Sequence, residues 1–218
     1  CLPSARGYFV AGTDTGAGKT HVACLLIEAL KRQGKRVSAM KPVAAGIEAD
    51  GGNEDVRRLM RAANAQVDPR DVNPYCFAPA IAPHIAARRA GVDIELDVIA
   101  AAFERLGAIS DVVVVEGAGG LLVPLNDELG MDSIPQRLGL PVILVVGMKL
   151  GCINHALLSA EAMRARELCL AAWVANEIDP GMEAGEENFD ALEQRLRVPC
   201  LARVAWRPAG RSNQPAAA

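Results

Sequence analysis

The chain is poor in the features that nucleic-acid binders, metal clusters and membrane proteins need. Aromatic residues make up 4% of its 218 residues, too few for a platform on which bases stack. Basic side chains number 23 against 26 acidic ones, a formal net charge of −3, so no basic field points to a nucleic-acid partner. No apolar run reaches the ~20 residues that span a bilayer, and no secretory signal is apparent. The expectation is a cytoplasmic protein with no nucleic-acid and no membrane partner. The 6 cysteines, at Cys1, Cys24, Cys76, Cys152, Cys169 and Cys200, lack metal-type spacing. Most lie in apolar stretches, which reads as reduced core thiols rather than a zinc site or a disulfide framework.

The information the chain does carry is densest in residues 7–20, GYFVAGTDTGAGKT. An apolar strand over 8–11 runs into a turn rich in glycine and threonine, and Lys19 and Thr20 open a helical pattern. Backbone N–H groups of such a turn converge on an anion, and the helix that follows adds the positive end of its dipole. Lys19 reaches terminal phosphates, and the Thr20 hydroxyl can hold magnesium. The spacing is unusual: five residues before Gly18 stands Thr13, and the glycine sits one earlier, at Gly12.

The remaining chain alternates strand and helix patterns. Helices are expected over 20–33, around Asp55, from Pro83 to Gly91, over 94–106 and 132–138, from a start within 148–155 to about Glu167, and over 182–196. Strands are expected over 36–41, 111–116, 141–147, 170–175 and 199–205, with a glycine-rich loop over 45–53 and a turn at Asn73-Pro74-Tyr75. This alternation predicts one α/β domain over residues 1–218, a doubly wound, mostly parallel sheet with helices on both faces and the fold of P-loop nucleoside triphosphate hydrolases. Residues 207–218, rich in Pro, Ala, Gly and Ser, are expected to be a disordered tail.

Several polar residues punctuate the pattern. Lys41 ends a strand where ligands of open parallel sheets gather, although a lone lysine there also fits a solvated strand end. Asp55 suits either a helix cap or a magnesium ion, and capping is favoured. The run of residues 111–116, DVVVVE, is a strand buried on both faces, and Glu116 at its end can serve as a second magnesium position, with Gly117-Ala118-Gly119-Gly120 either approaching phosphates or making a tight turn. His84 reads as a satisfied structural histidine. Free N–H groups at the helix start near Gly151 could bind a carboxylate.

Taken together, Gly12-Thr13-Asp14-Thr15 with Gly18-Lys19-Thr20, Lys41-Pro42-Val43-Ala44, Asn73-Pro74-Tyr75, Pro83-His84, Glu116-Gly117-Ala118-Gly119-Gly120, Lys149-Leu150-Gly151-Cys152-Ile153-Asn154-His155 and Trp173-Val174-Ala175-Asn176 resemble the dethiobiotin synthetase family, from about Tyr8 to Trp206. The resemblance implies a magnesium-dependent cyclo-ligase that uses ATP as co-substrate to carboxylate 7,8-diaminononanoate with CO2 and close the ureido ring of dethiobiotin. It implies that Lys19, Lys41 and Thr15 are catalytic and that Thr20, Asp55 and Glu116 surround the metal. Nucleotide would contact Thr13, Asp14, Thr15, Gly16, Ala17, Gly18, Lys19, Thr20, Glu116, Gly117, Ala118 and Gly119. Asn176 would face adenine, beside Ala205, Trp206 and Arg207. Substrate would meet Thr15, Lys41 and Ala45, and its carboxylate Gly151, Cys152 and Asn154 of the second subunit in a homodimer. Two positions depart from the family's habit: Ala45 stands where serine is frequent, and Ala205 where proline is.

Other readings come from other classes. Relatives that amidate corrinoid rings carry a further glutaminase domain, for which this chain is too short. A switch or partitioning ATPase of the same fold usually has an extra lysine at the start of the phosphate loop, where Gly12 and Thr13 stand. A GTPase is suggested by Asn176-Glu177-Ile178-Asp179 but lacks the lysine of Asn-Lys-x-Asp.

Overall fold

The computed structural model describes residues 2–48 and 51–206. Its elements follow in the order β1 (Gly7–Gly12), α1 (Lys19–Arg32), β2 (Val37–Met40), β3 (Val43–Ala45), α2 (Glu54–Ala62), α3 (Pro69–Val72), β4 (Tyr75–Phe77), α4 (Pro83–Ala90), α5 (Leu96–Ala108), β5 (Val112–Glu116), α6 (Ser133–Leu138), β6 (Val142–Met148), α7 (Cys152–Ala165), β7 (Leu170–Glu177), α8 (Gly185–Leu196) and β8 (Cys200–Val204). Six strands form one sheet in the order β2-β5-β1-β6-β7-β8, every neighbouring pair parallel.

The sheet is buried on both faces because successive side chains of its strands feed two cores. Phe9 and Ala11 of β1, Val113 and Val115 of β5, and Leu144 and Val146 of β6 pack under α5, α6, α7 and α8. Tyr8, Val10, Val112, Val114, Ile143 and Val145 pack under α1 and the Leu59 side chain of α2. Near-continuous β-branched runs such as Val112–Val115 are what a parallel strand covered on both sides requires. The expected doubly wound sheet is therefore present. The one antiparallel pairing among the described residues is an isolated bridge between Pro124 and Gly130.

β1 is the pivot. The chain leaves it toward β2 on one side and later fills β6, β7 and β8 on the other, so the strand order reverses at its carboxyl end. Open α/β sheets bind ligands at that crevice, and here it holds the phosphate-type loop.

Three elements depart from the expectation. β3 and β4 make a second, two-stranded parallel sheet, where a loop and a turn were expected, and the 4-residue helix α3 precedes β4. The α2 cap is Asn53, whose side chain accepts from the Val56 backbone N–H at 3.2 Å; Asp55 sits inside the first turn and is not the cap. The cysteines are also less buried than read. All 5 described are free, but Cys152 alone is buried, and Cys76 and Cys169 are exposed. Cys1 and the tail 207–218, with Arg207, lie outside the described residues. No helix among the described residues is long and apolar enough to cross a membrane.

Candidate active site

The loop between β1 and α1 borders a cleft through Thr15, Gly16 and Gly18. Gly18 caps α1 with φ 87° and no side-chain cap, a helix start suited to an anion. A side chain there would be strained, and its Cβ would lie 2.0 Å from Asn176 Nδ2. The displaced glycine has its own reason. A Cβ on Gly12 would stand 2.9 Å from Lys19 Cγ, so Gly12 leaves the space through which the Lys19 stem folds back over the loop. Lys19 Nζ donates to the Asp14 carbonyl at 3.0 Å, and Asp14 Oδ1 accepts from the Thr15 backbone N–H at 2.7 Å.

The loop opens on a cleft of about 670 Å3 bordered by Thr15, Lys19, Thr20, Lys41, Asp55 and Glu116, among others. Parallel register brings the last pair together. Met40 of β2 is paired with Val115 of β5, so the next residues, Lys41 and Glu116, emerge side by side. Lys41 is 4% exposed and Glu116 is fully buried, which overturns the solvated-lysine alternative. Lys41 Nζ donates to Glu116 Oε1 at 2.5 Å and to Asp55 Oδ2 at 3.0 Å. Thr20 Oγ1 donates to Glu116 Oε1 at 2.9 Å and is also within hydrogen-bond reach of Asp55; its single proton serves one carboxylate at a time. Burial works to discharge Lys41, but Glu116 and Asp55 outweigh it and raise its pKa. Burial likewise opposes the Asp55 charge, yet the Lys41 ammonium and hydrogen bonds from Thr20 and Lys41 hold its carboxyl below the usual carboxylate range.

The donor set suits a hard divalent cation. Two carboxylates and a hydroxyl converge, all oxygen, and Glu116 Oε2 is buried with no hydrogen-bond partner, so one ligand position is already open. Among the described residues no group of three His, Cys, Asp or Glu is arranged to hold a metal alone. That matches magnesium, which is held by one or two carboxylates with phosphates and water completing its shell.

Lys19 supplies a pH signature. Burial and, next, the Lys41 charge push its pKa down to about 8. Polyphosphate oxygens favour its charged form. Above about pH 8 the ligand-free lysine is largely neutral, and a bound nucleotide restores its proton. Nucleotide affinity is therefore expected to fall as pH rises through that value, with proton uptake on binding that grows between about pH 7 and 9. Calorimetry in buffers of different ionisation enthalpy reads this uptake, and Lys19→Arg removes it. Equal affinity and no uptake at about pH 9 would contradict the lowered pKa.

Not every sequence candidate borders the cleft. Gly16, Gly18, Ala45, Ala118 and Gly119 do. Thr13 and Ala17 build the loop from behind, Thr13 through its backbone N–H to Val145 O at 3.0 Å, and Gly117 packs on Phe9. Asn176, 5% exposed at the end of β7, donates Nδ2–H to the Ala17 carbonyl at 2.9 Å. Ala205 and Trp206 follow β8, and the Trp206 backbone N–H donates to Glu177 Oε2 at 3.2 Å. Gly151, Cys152 and Asn154 border no part of the cleft within this chain. Gly151 caps α7 with φ 93°, and Leu150 beside it is 90% exposed. His84 is outside the cleft, and its Nδ1 is buried without a partner, so the satisfied-histidine reading fails. The sequence reading missed several lining residues, Asn53 and Arg58 the most polar of them. Asn53 Nδ2 donates to the Gly46 carbonyl at 2.9 Å, holding the loop after β3. Arg58 follows Asp55 by three residues on α2, and that helical spacing was the available signal.

The AAA domain family model matches residues 6–213. An ATP-dependent dethiobiotin synthetase BioD of Nitrosospira multiformis is 57% identical over 196 residues, covering 90% of this chain and 86% of that protein. Its namesakes in Aromatoleum aromaticum and Xanthomonas euvesicatoria are 52% and 47% identical, covering 90% and 92% of this chain and 88% and 91% of theirs. Among solved structures, a ParA family ATPase from Chlorobium tepidum superposes with TM-score 0.52 at 13% identity, covering 94% of this chain and 86% of that one. The signal recognition particle receptor FtsY from Elizabethkingia anophelis gives 0.53 at 20%, covering 94% of this chain but 62% of its own. At those identities the structures speak to the P-loop fold alone.

Proposed function

The chain belongs to the dethiobiotin synthetase family, ATP-dependent ligases that close a ring in biotin biosynthesis, and from that premise we propose how its own residues divide the work. One amine of 7,8-diaminononanoate takes up CO2 as a carbamate. Transfer of the ATP γ-phosphoryl to a carbamate oxygen gives a mixed anhydride. The second amine attacks the carbonyl carbon, phosphate leaves with the C–O bonding pair, and the ureido ring closes. A carbamate oxygen is a poor leaving group and a phosphate a good one. The protein's contribution is position and charge.

The observation that carries this reading is the convergence of Lys19, Lys41, Thr20, Asp55 and Glu116 on one cleft beside the loop. Lys19 neutralises the transferring phosphoryl group. Thr20, Asp55 and Glu116 hold magnesium, which when bound spreads the charge of the phosphoryl oxygens. Thr15 and Lys41 face the diamine and its carbamate. Ala45 borders the cleft without a hydroxyl, so one polar contact to substrate is absent. Asn176 spends one N–H on the Ala17 carbonyl and retains one donor and one acceptor, the pair that adenine's amino edge requires. Gly151, Cys152 and Asn154 receive the substrate carboxylate in the partner's cleft. Support for that role is their position away from this chain's own cleft, at the start of α7, with Leu150 before the helix and Leu158 along it both exposed.

Phosphate release tests the reaction. It is expected to be slow with ATP alone and to rise strongly only when diaminononanoate and bicarbonate are both added. Equal release without the diamine would favour a switch ATPase.

A further inference from the structure

Five charged side chains border the cleft: Lys19, Lys41 and Arg58 against Asp55 and Glu116. Their formal sum is +1, and of the three cations Lys41 bridges both carboxylates. The bridge is buried, with the Lys41 side chain 5% and that of Glu116 0% exposed. A buried carboxylate without a compensating charge is costly, so the ligand-free pocket needs this ammonium. The lysine backbone is fixed, its N–H donating to the Val72 carbonyl at 2.7 Å and its own carbonyl accepting from Asn73 Nδ2 at 2.6 Å. Only its flexible four-carbon stem is free to leave.

We propose that Lys41 is the resident counterion of Asp55 and Glu116 and competes with the divalent cation for them, so that the ligand-free enzyme turns away free cation and admits it only with nucleotide phosphates. The inference rests on the assignment of Thr20, Asp55 and Glu116 to the metal. With Lys41 in place the two carboxylates present one net negative charge, and with it displaced they present two, which matches a divalent ion. A second cation beside Lys41 and Lys19 is repelled at close range. A triphosphate reverses the sign of the cleft, favours the metal, and offers the displaced ammonium new acceptors. Glu116 Oε2, buried and unpartnered, is the ligand atom that requires no displacement, so the metal can begin to bind before Lys41 leaves. The same lysine thus occupies two stations. One is on the carboxylates of the empty pocket; the other, once the metal arrives, is on the carbamate side of the cleft. Arrival of metal and nucleotide then delivers the substrate's charge partner.

Manganese without nucleotide tests this. Its free-ion electron paramagnetic resonance signal reports binding to the whole protein. Wild type is expected to leave the signal nearly undiminished, and Lys41→Met to bind manganese at least about tenfold more tightly, within the range of ordinary site–site coupling. Lys41→Arg, which keeps the charge, behaves as wild type. Adding Asp55→Asn to Lys41→Met abolishes the gain. Manganese raises the melting temperature of Lys41→Met and leaves that of wild type unchanged. If Lys41→Met fails to fold unaided, refolding with and without manganese gives the same reading: recovery that depends on the ion supports the competition, and failure in both overturns it. Wild type that takes up free manganese as tightly as Lys41→Met overturns it as well. No diamine, bicarbonate or nucleotide is present, so a failure here removes the counterion role alone. Phosphate release independent of the diamine removes the synthetase assignment alone.

Discussion

Glu116→Gln is expected to lower turnover by about a hundredfold or more while leaving the fold intact. The side chain ends β5 fully buried, and its Oε1 accepts from both Thr20 and Lys41. A glutamine can point its single carbonyl oxygen at the same two donors. Its NH2 group then occupies the position of Oε2, which has no partner to offend. Shape and hydrogen bonds survive, and Asp55 still pairs with Lys41. What is lost is one negative charge and the oxygen proposed to hold the metal, where phosphoryl transfer depends on charge stabilisation. A hundredfold loss is about 2.7 kcal/mol of transition-state stabilisation. Steady-state rates at increasing magnesium, with circular dichroism as a control on folding, make the measurement. Near-normal turnover at ordinary magnesium would remove Glu116 from the metal.

Two dead variants should restore one another. Lys19→Ala removes the phosphate lysine. Gly151→Val puts a β-branched residue at φ 93°, a conformation valine avoids. Among the described residues, its chain neighbours aside, nothing lies within 4 Å of the added Cβ, so the new bulk falls outward, toward the surface proposed to complete the partner's cleft. Each homodimer is expected to be inactive. In a mixed dimer the cleft of the Gly151→Val chain has its own Lys19 and an intact Gly151 from its partner, while the other cleft carries both lesions. Random re-pairing makes about half of the dimers mixed, each with one working site of two, so activity should return to about a quarter of wild type. Co-refolding followed by an assay of dethiobiotin formation measures it. Background activity despite proven mixed dimers would mean that the carboxylate is held within one chain.

The parts of this molecule that announce themselves in sequence are those where one physical demand dominates. Four consecutive valines before Glu116 specify a strand buried on both faces and its end, and β5 spans Val112–Glu116. Gly18-Lys19-Thr20 after an apolar run specifies the phosphate loop. β3 and β4, of 3 residues each, are too short for any periodicity to register, and the Asn73-Pro74 turn signal masks the second. Lys41, Asp55 and Glu116 were each legible as candidates, and the family resemblance set Asp55 and Glu116 around one metal, but the place of Lys41 between them was not legible. It depends on β5 being laid beside β2 in the register that pairs Met40 with Val115, a long-range choice that local pattern does not encode. Asp55 read as a cap for the same reason. Its chemistry is a cap's chemistry, and only the neighbouring Asn53 and the distant Lys41 decide otherwise. Asn176 was read as a base contact, and its bond to the Ala17 carbonyl became visible only once β7 stood behind the loop.

The order of strands across the sheet also sets a timetable for synthesis. Of the described strands β1 is synthesised before the others, yet its two neighbours, β5 and β6, end at Glu116 and Met148. At roughly 5–20 residues per second, the hydrogen-bonding edges of Gly7–Gly12, with Tyr8, Phe9 and Val10 between them, wait several seconds or longer for a partner. Parallel strands paired across such separations assemble slowly. The segment on which the phosphate loop is mounted is therefore the longest-lived sticky edge of the nascent chain. Slower elongation before residue 116 lengthens its exposure to aggregation, and a chaperone that shields Gly7–Gly12 would raise the yield of folded protein.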